Sequence, residues 1–284
     1  MGTQPDVGPC GRSPICRRRR LPTLLVALLV CAAALFAAAD AEAIDAPFSD
    51  EELITGFVLT VFGAEADDGS GTATRRVKKF TGPVHFHIVS TSAIDRRRTV
   101  RTFVRSLSES VDNLELVETG RFEDADMVIF LVNRVDYVPT IRRTVWEGAD
   151  TAFLEKNACS AVLAARRSGI ERAYIYLVAD EGFAGLSHCM VEEIAQSLGP
   201  ANDSSLLDDS IFNDMSELNA FGLFDWFILN MLYDDHIEPG MSEAEVLPLL
   251  PGAIAAARDR LTAVVKMGLA GHDAAPTGRT LVRH

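Results

Sequence analysis

Several things are scarce in this chain. Cysteine is one: there are five in 284 residues, and three of them, Cys10, Cys16 and Cys31, lie in the first 43 positions, leaving only Cys159 and Cys189 beyond. Two thiols cannot build a disulfide-stapled mini-domain, and 284 residues can bury a core without one. Basic charge is also short, with 27 Lys and Arg against 40 Asp and Glu, for a net −13. Residues 1–43 hold Arg12 and Arg17 to Arg20 against Asp6, Asp40 and Glu42, a net +2, so the remainder carries −15. That balance argues against nucleic acid and anionic lipid as general partners and leaves cationic ligands open. There is no internal repeat, which excludes a solenoid or propeller. No Ser/His/Asp or Cys/His nucleophile set has a local signature, and the adjacency of His188 and Cys189 does not place one side chain against the other.

What is present begins with Arg17 to Arg20 and an apolar run, 21–39, ending in small residues. Ala39-Asp40-Ala41 and Ala41-Glu42-Ala43 both fit a signal-peptidase site, so 1–43 reads as a signal peptide. The rival is an uncleaved anchor, since a bilayer takes about 20 apolar residues. Val30 before Cys31 makes a poor lipidation box. A single domain is expected over 44–268, with a flexible tail over 269–284.

Ser49-Asp50-Glu51-Glu52 is a capping box and starts a helix through about Phe62. Residues 67–74, rich in Gly, Ser and Thr, are expected to form a loop. Residues 83–90 alternate as a strand, with His85 and His87 on one face, a pair that reads more simply as packed or solvated than as metal ligands. A helix over 96–111 buries Val100, Phe103, Val104, Leu107 and Val111 and carries Arg96, Arg97, Arg98, Arg101 and Arg105 on its outer side. That basic run reads first as a solvated face and second as a patch for an acidic partner. Strands follow at 114–118 and 126–133, the second continuously apolar as a central strand should be. A helix is expected over 152–167 and a strand over 174–178. The C-terminal part reads as mostly helical: an aromatic-rich helix over 219–233, a capped turn from Ser242 broken by Pro248 and Pro251, and an Ala-rich helix over 252–267.

The stretch from His188 to Asp214 organises the rest. Residues 192–199 read as a short amphipathic helix stopped by Gly199 and Pro200. At about 100° per residue, Glu192 and Gln196 share a face, with Glu193 beside them. Zinc at Glu192, Gln196 and Asn202 would be poorly served, since two of the three are neutral amides. A hard cation such as calcium would take oxygens from Glu192, Asn202 and Asp203. Glu192 and Glu193 as an acid–base pair would splay by about 100°, which is not a facing arrangement. The reading that asks least is structural, with these groups satisfying one another and the backbone near Ser210-Ile211-Phe212.

The motifs themselves carry a resemblance. Residues 57–65 (FVLTVFGAE), Val77-Lys78-Lys79-Phe80, EExxQSLG, Asn202-Asp203-Ser204, Ser210-Ile211-Phe212-Asn213-Asp214 and Leu232-Tyr233-Asp234 are similar to those of a family of exported proteobacterial proteins of unknown function. More distantly, the stretch resembles a metzincin zinc-peptidase site. Laid on without a gap, Glu192, Gln196 and Asn202 fall at the three His ligands, Glu193 at the general base and Gly199 at the helix-ending glycine, and Ser210-Ile211-Phe212 resembles the Met-turn with Phe for Met. The resemblance implies an α/β (α+β) fold of zincin or metzincin type: a small mixed sheet, a long helix, a central motif helix and a mostly helical C-terminal part. It also implies a scaffold that has lost its zinc ligands. The expected function is a binding or structural module of the cell envelope, periplasmic or secreted, with no resident cofactor and an envelope protein or peptide as partner. The alternatives are a hydrolase using Glu193 as general base with an oxygen-ligand metal such as calcium, and an inner-membrane-anchored protein facing the periplasm. Export would also place Cys159 and Cys189 in an oxidising compartment, where an even pair is expected to bridge.

Overall fold

The structure, a computed structural model, describes residues 48–63, 75–145, 147–208, 210–213, 215 and 218–273. The expected signal peptide, the 67–74 loop, Asp214 and the tail beyond Asp273 lie outside them. Helix α1 (Asp50–Phe62) opens on the expected box: the Glu52 amide donates to Ser49 Oγ at 3.2 Å and Glu52 Oε2 accepts from the Ser49 amide at 2.7 Å. Strand β1 (Val84–Ser90), helix α2 (Arg97–Ser110), β2 (Leu116–Glu118) and β3 (Met127–Val132) then fall close to their expected places. The remaining elements are α3 (Arg134–Thr144), α4 (Thr151–Leu154), β4 (Cys159–Arg166), β5 (Gly169–Val178), α5 (Phe183–Gln196), α6 (Leu223–Leu232), α7 (Glu243–Val246) and α8 (Leu250–Asp273).

The five strands form one mixed sheet in the order β2-β1-β3-β5-β4, within an α+β fold. Neighbours pair in parallel except β4, which runs antiparallel to β5 as the edge. Alternation sends Met127, Ile129 and Leu131 with Ala173, Ile175 and Leu177 to one face, where they pack with α1, α2, α5, α6 and α8. The other set, Val128, Phe130, Val132, Tyr176 and Val178, meets Tyr137 and Ile141 of α3 and Leu154 of α4. Both faces being covered explains why β3 is buried at every position and apolar throughout.

Three expectations need correcting. Residues 159–166 are strand, not helix: their alanines suit a helix by propensity, but the chain turns at Gly169 (φ +126°) and pairs back on β5. Helix α5 starts at Phe183, nine residues before the expected 192–199 helix, so Cys189 sits in its middle. Helix α8 continues to Asp273, past Gly268 where fraying was expected. Helix α3 was not foreseen, because Pro139 lies inside it. The halting start of α8 is as expected, with Pro248 in a 3-10 turn and Pro251 in the first helical turn.

Candidate functional site

Helix α5 is buried on most of its circumference. Leu186, Cys189, Met190 and Glu193 form one inward stripe, and Val191, Ile194 and Ala195 form another. Only the row His188–Glu192–Gln196 is half-buried along this part of the helix, at i, i+4 and i+8. Glu192 and Gln196 thus share a face as the spacing requires. His188 belongs to the same row, and its i, i+4 relation to Glu192 was available in the sequence.

Each member of the row already has a partner. His188 Nε2 lies 3.2 Å from Glu192 Oε2, and His188 Nδ1 lies 2.6 Å from the Leu218 carbonyl oxygen. The Leu218 carbonyl can only accept, so Nδ1 donates to it, and the other ring nitrogen faces Glu192. Gln196 Nε2 donates to Asp203 Oδ1 at 2.8 Å. Asn202 is 5% exposed, and its Nδ2 donates to the Thr60 carbonyl at 2.9 Å, which also accepts from the Asn202 backbone amide at 3.2 Å. A Cβ on Gly63 would come within 2.7 Å of Asn202 Cβ, so the end of α1 closes tightly over this residue.

Glu193 points inward and is 8% exposed. Burial, reinforced by the charges of Glu192 and Asp203, pushes its carboxyl well above the ordinary carboxylate range. The turn below is held by Asp225, wholly buried in the first turn of α6. Its Oδ1 accepts from Ser210 Oγ at 2.7 Å and from the Ile211 amide at 3.2 Å, and its Oδ2 accepts from the Gly222 amide at 2.8 Å. Burial raises its pKa and those three hydrogen bonds oppose the rise. Phe212 then fills the interior at 0% exposure.

The other motif residues meet where α5 and α6 end. Gly199 has φ +136°, and a Cβ there would strike the Lys78 carbonyl oxygen at 2.1 Å. Tyr233 Oη donates to the Leu198 carbonyl at 3.0 Å. Lys79 Nζ donates to the Leu232 and Asp234 carbonyls at 3.0 and 3.1 Å and lies 5.4 Å from the Tyr233 ring centre. It therefore caps α6 where the helix dipole favours a cation. Burial lowers the Lys79 pKa to about 8, against the pull of Asp234, Asp235 and Glu238.

A family model described as a protein of unknown function (DUF2927) matches residues 50–252. The chain belongs to that family. No curated protein matches it. The family span runs from the first residue of α1 into the first turn of α8, so it contains the whole sheet, the α5 row and the Lys79–Tyr233 node.

The bridge between Cys159 and Cys189 is present, with Cα atoms 5.6 Å apart. Cys159 pairs with Leu177, which places it on the sheet face that carries α5. The clamp therefore joins the motif helix to the edge strand, where a neighbouring helix was expected. His85 and His87 share a strand face but have separate partners, Asp126 Oδ2 at 3.2 Å and the Thr119 carbonyl at 2.8 Å. Among the described residues, no group of three or more His, Cys, Asp and Glu is arranged to hold a metal ion. Glu192, Gln196 and Asn202 do not fit a zinc ion, because two of the three are neutral amides, which are poor zinc ligands, and their nitrogens are turned to Asp203 and Thr60.

Proposed function

We propose that this family member is an exported protein of the cell envelope, periplasmic or secreted, whose scaffold resembles a metzincin peptidase stripped of zinc chemistry and serves as a binding or structural module. One observation carries the reading: Glu192, Gln196 and Asn202 face His188, Asp203 and Thr60 rather than a common point. The order of elements supports it, with a sheet closed by an antiparallel edge strand and followed by the motif helix. The partner class is an extended peptide or an envelope protein. Strand β4 suits a peptide, because it is the sheet's edge and the Cys159–Cys189 bridge fixes it to α5. Membrane attachment, if it occurs, runs through residues 21–39; among the described residues no helix is long and apolar enough to cross a bilayer.

A second reading has one observation in its favour. A carboxyl raised as Glu193 is suits general-base work near neutral pH, with an oxygen-ligand cation such as calcium as its metal. Mass-spectrometric metal content of the purified protein separates the two. The expected result is no stoichiometric zinc or calcium and no peptide hydrolysis. One tightly held metal per chain, lost in Glu192→Ala together with a hydrolytic activity lost in Glu193→Gln, would replace the binding-module reading with the hydrolase one.

A further inference from the structure

The basic run on α2 lies outside the site just described. Helix α2 has four arginines and one acidic residue, Glu109, in a chain of net charge −13. Its cations are not equivalent. Arg97 is held by Asp95 at 2.8 Å and Arg101 by Glu118 at 2.8 Å, while Arg96, just before the helix, lies 5.4 Å from the Phe183 ring centre. Arg98 and Arg105 are exposed, and their side chains make no ion pair or hydrogen bond among the described residues. Seven positions apart, they stand on one face two turns from each other, about 10 Å along the axis.

Beside Arg98 lies an open groove of about 460 Å³ between α2 and α5. Phe103 and Met190 give it an apolar floor, and Thr99, Thr102 and Ser106 supply hydroxyls. Phe103 in turn packs edge-on against Phe221 at 6.1 Å. An apolar floor with two unneutralised cations spaced by a heptad is complementary to one kind of ligand. We infer that this groove docks an acidic amphipathic helix from a partner protein, with carboxylates at i and i+7 meeting Arg98 and Arg105 and apolar side chains at i+3 and i+4 entering over Phe103 and Met190. The heptad spacing selects a helix over an extended chain, whose side chains alternate between faces every residue. Two free cations are too few to hold an acidic protein on anionic lipid, and a bilayer surface would not reach the groove floor.

The test uses fluorescence anisotropy of a capped, labelled, Ala/Gln-based helical peptide bearing Glu at i and i+7 and Leu at i+3 and i+4, titrated with the purified full chain. Saturable binding that weakens with added salt is expected. Arg98→Ala or Arg105→Ala should each weaken it by up to about fivefold. The double change Arg98→Glu/Arg105→Glu should abolish it with an unchanged circular dichroism spectrum, and Arg97→Ala should leave it intact. Arg17 to Arg20 are common to all these proteins, so only differences between them count. Met190→Ser tests the floor and should weaken binding without altering its salt dependence. Equal binding of a peptide with Lys in place of Glu, indifference to the double reversal, or no binding at all would overturn the inference. So would arginine-dependent binding to vesicles of phosphatidylglycerol and phosphatidylethanolamine in the absence of peptide binding, which would assign the surface to lipid.

Discussion

Glu193 sits where carboxylates are rarely found, and that placement has a measurable sign. With its folded pKa above its unfolded value near 4.5, the folded state holds the proton more tightly. Stability is therefore greatest below the unfolded pKa and falls as pH rises through the folded one. Glu193→Gln should flatten that decline, so the variant gains on the wild type as pH rises above the ordinary carboxylate range in urea-denaturation midpoints; parallel curves would show that Glu193 does not titrate in this way. Asp225, also raised, contributes a similar slope to both proteins. Asn202→Ala removes a buried amide and strips the Thr60 carbonyl of one donor, so a loss of about 1–3 kcal/mol is expected in thermal or urea melts. Gln196→Ala should cost less, about 1 kcal/mol, because Gln196 and Asp203 are only half-buried. An Asn202 variant as stable as wild type would mean the amide serves a ligand rather than the fold. The helical spacing made the Glu192–Gln196 row legible. The inward turn of Glu193 was not, since the element that covers a helix face is decided elsewhere in the chain.

At the scale of elements, the bridge between β4 and α5 is the strongest single constraint. Its half-cystines are 30 residues apart, a loop for which chain entropy gives about 3–4 kcal/mol at most. Denatured, unreduced mature protein should show no reactive thiol at Cys159 or Cys189, and Cys159→Ser/Cys189→Ser should lower the melting temperature; two free thiols would refute the bridge. The pairing was legible from the two cysteines left beyond residue 43 and the expectation of export. Its geometry was not, because Ala161, Ala164 and Ala165 give residues 159–166 the composition of a helix, and only the partner β5 makes them a strand. Helix α3 was hidden by Pro139, and α1 was plain because its capping box is local. Elements with a plain signature, a capping box in α1 or an unbroken apolar run in β3, were readable, and elements whose composition points elsewhere, β4 and α3, were not.

For the whole molecule, the residues singled out in the sequence gather less along the half-buried α5 row than at a joint. Lys78, Lys79, Leu198, Gly199, Leu232 and Tyr233 lock the ends of α5 and α6 together. The motifs could be recognised in the sequence, but their meeting point required the fold. Intact-mass measurement of protein from an envelope fraction should find a chain beginning at Glu42 or Ile44, matching cleavage after either small-residue site. A mass retaining residues 21–39 would identify an anchored form instead. The joint also sets a clock. Lys79 and Leu232 are 153 residues apart, and Thr60 and Asn202 are 142 apart. A ribosome needs roughly 8–30 s to travel the longer distance. Throughout that time the emerging chain lacks the carbonyls that hold Lys79, and β5, which flanks β3, is complete only once Val178 has been made. The joint therefore closes only when nearly all of the described chain has been made, and for the export proposed above that delay keeps it unlocked while a narrow channel is still to be passed.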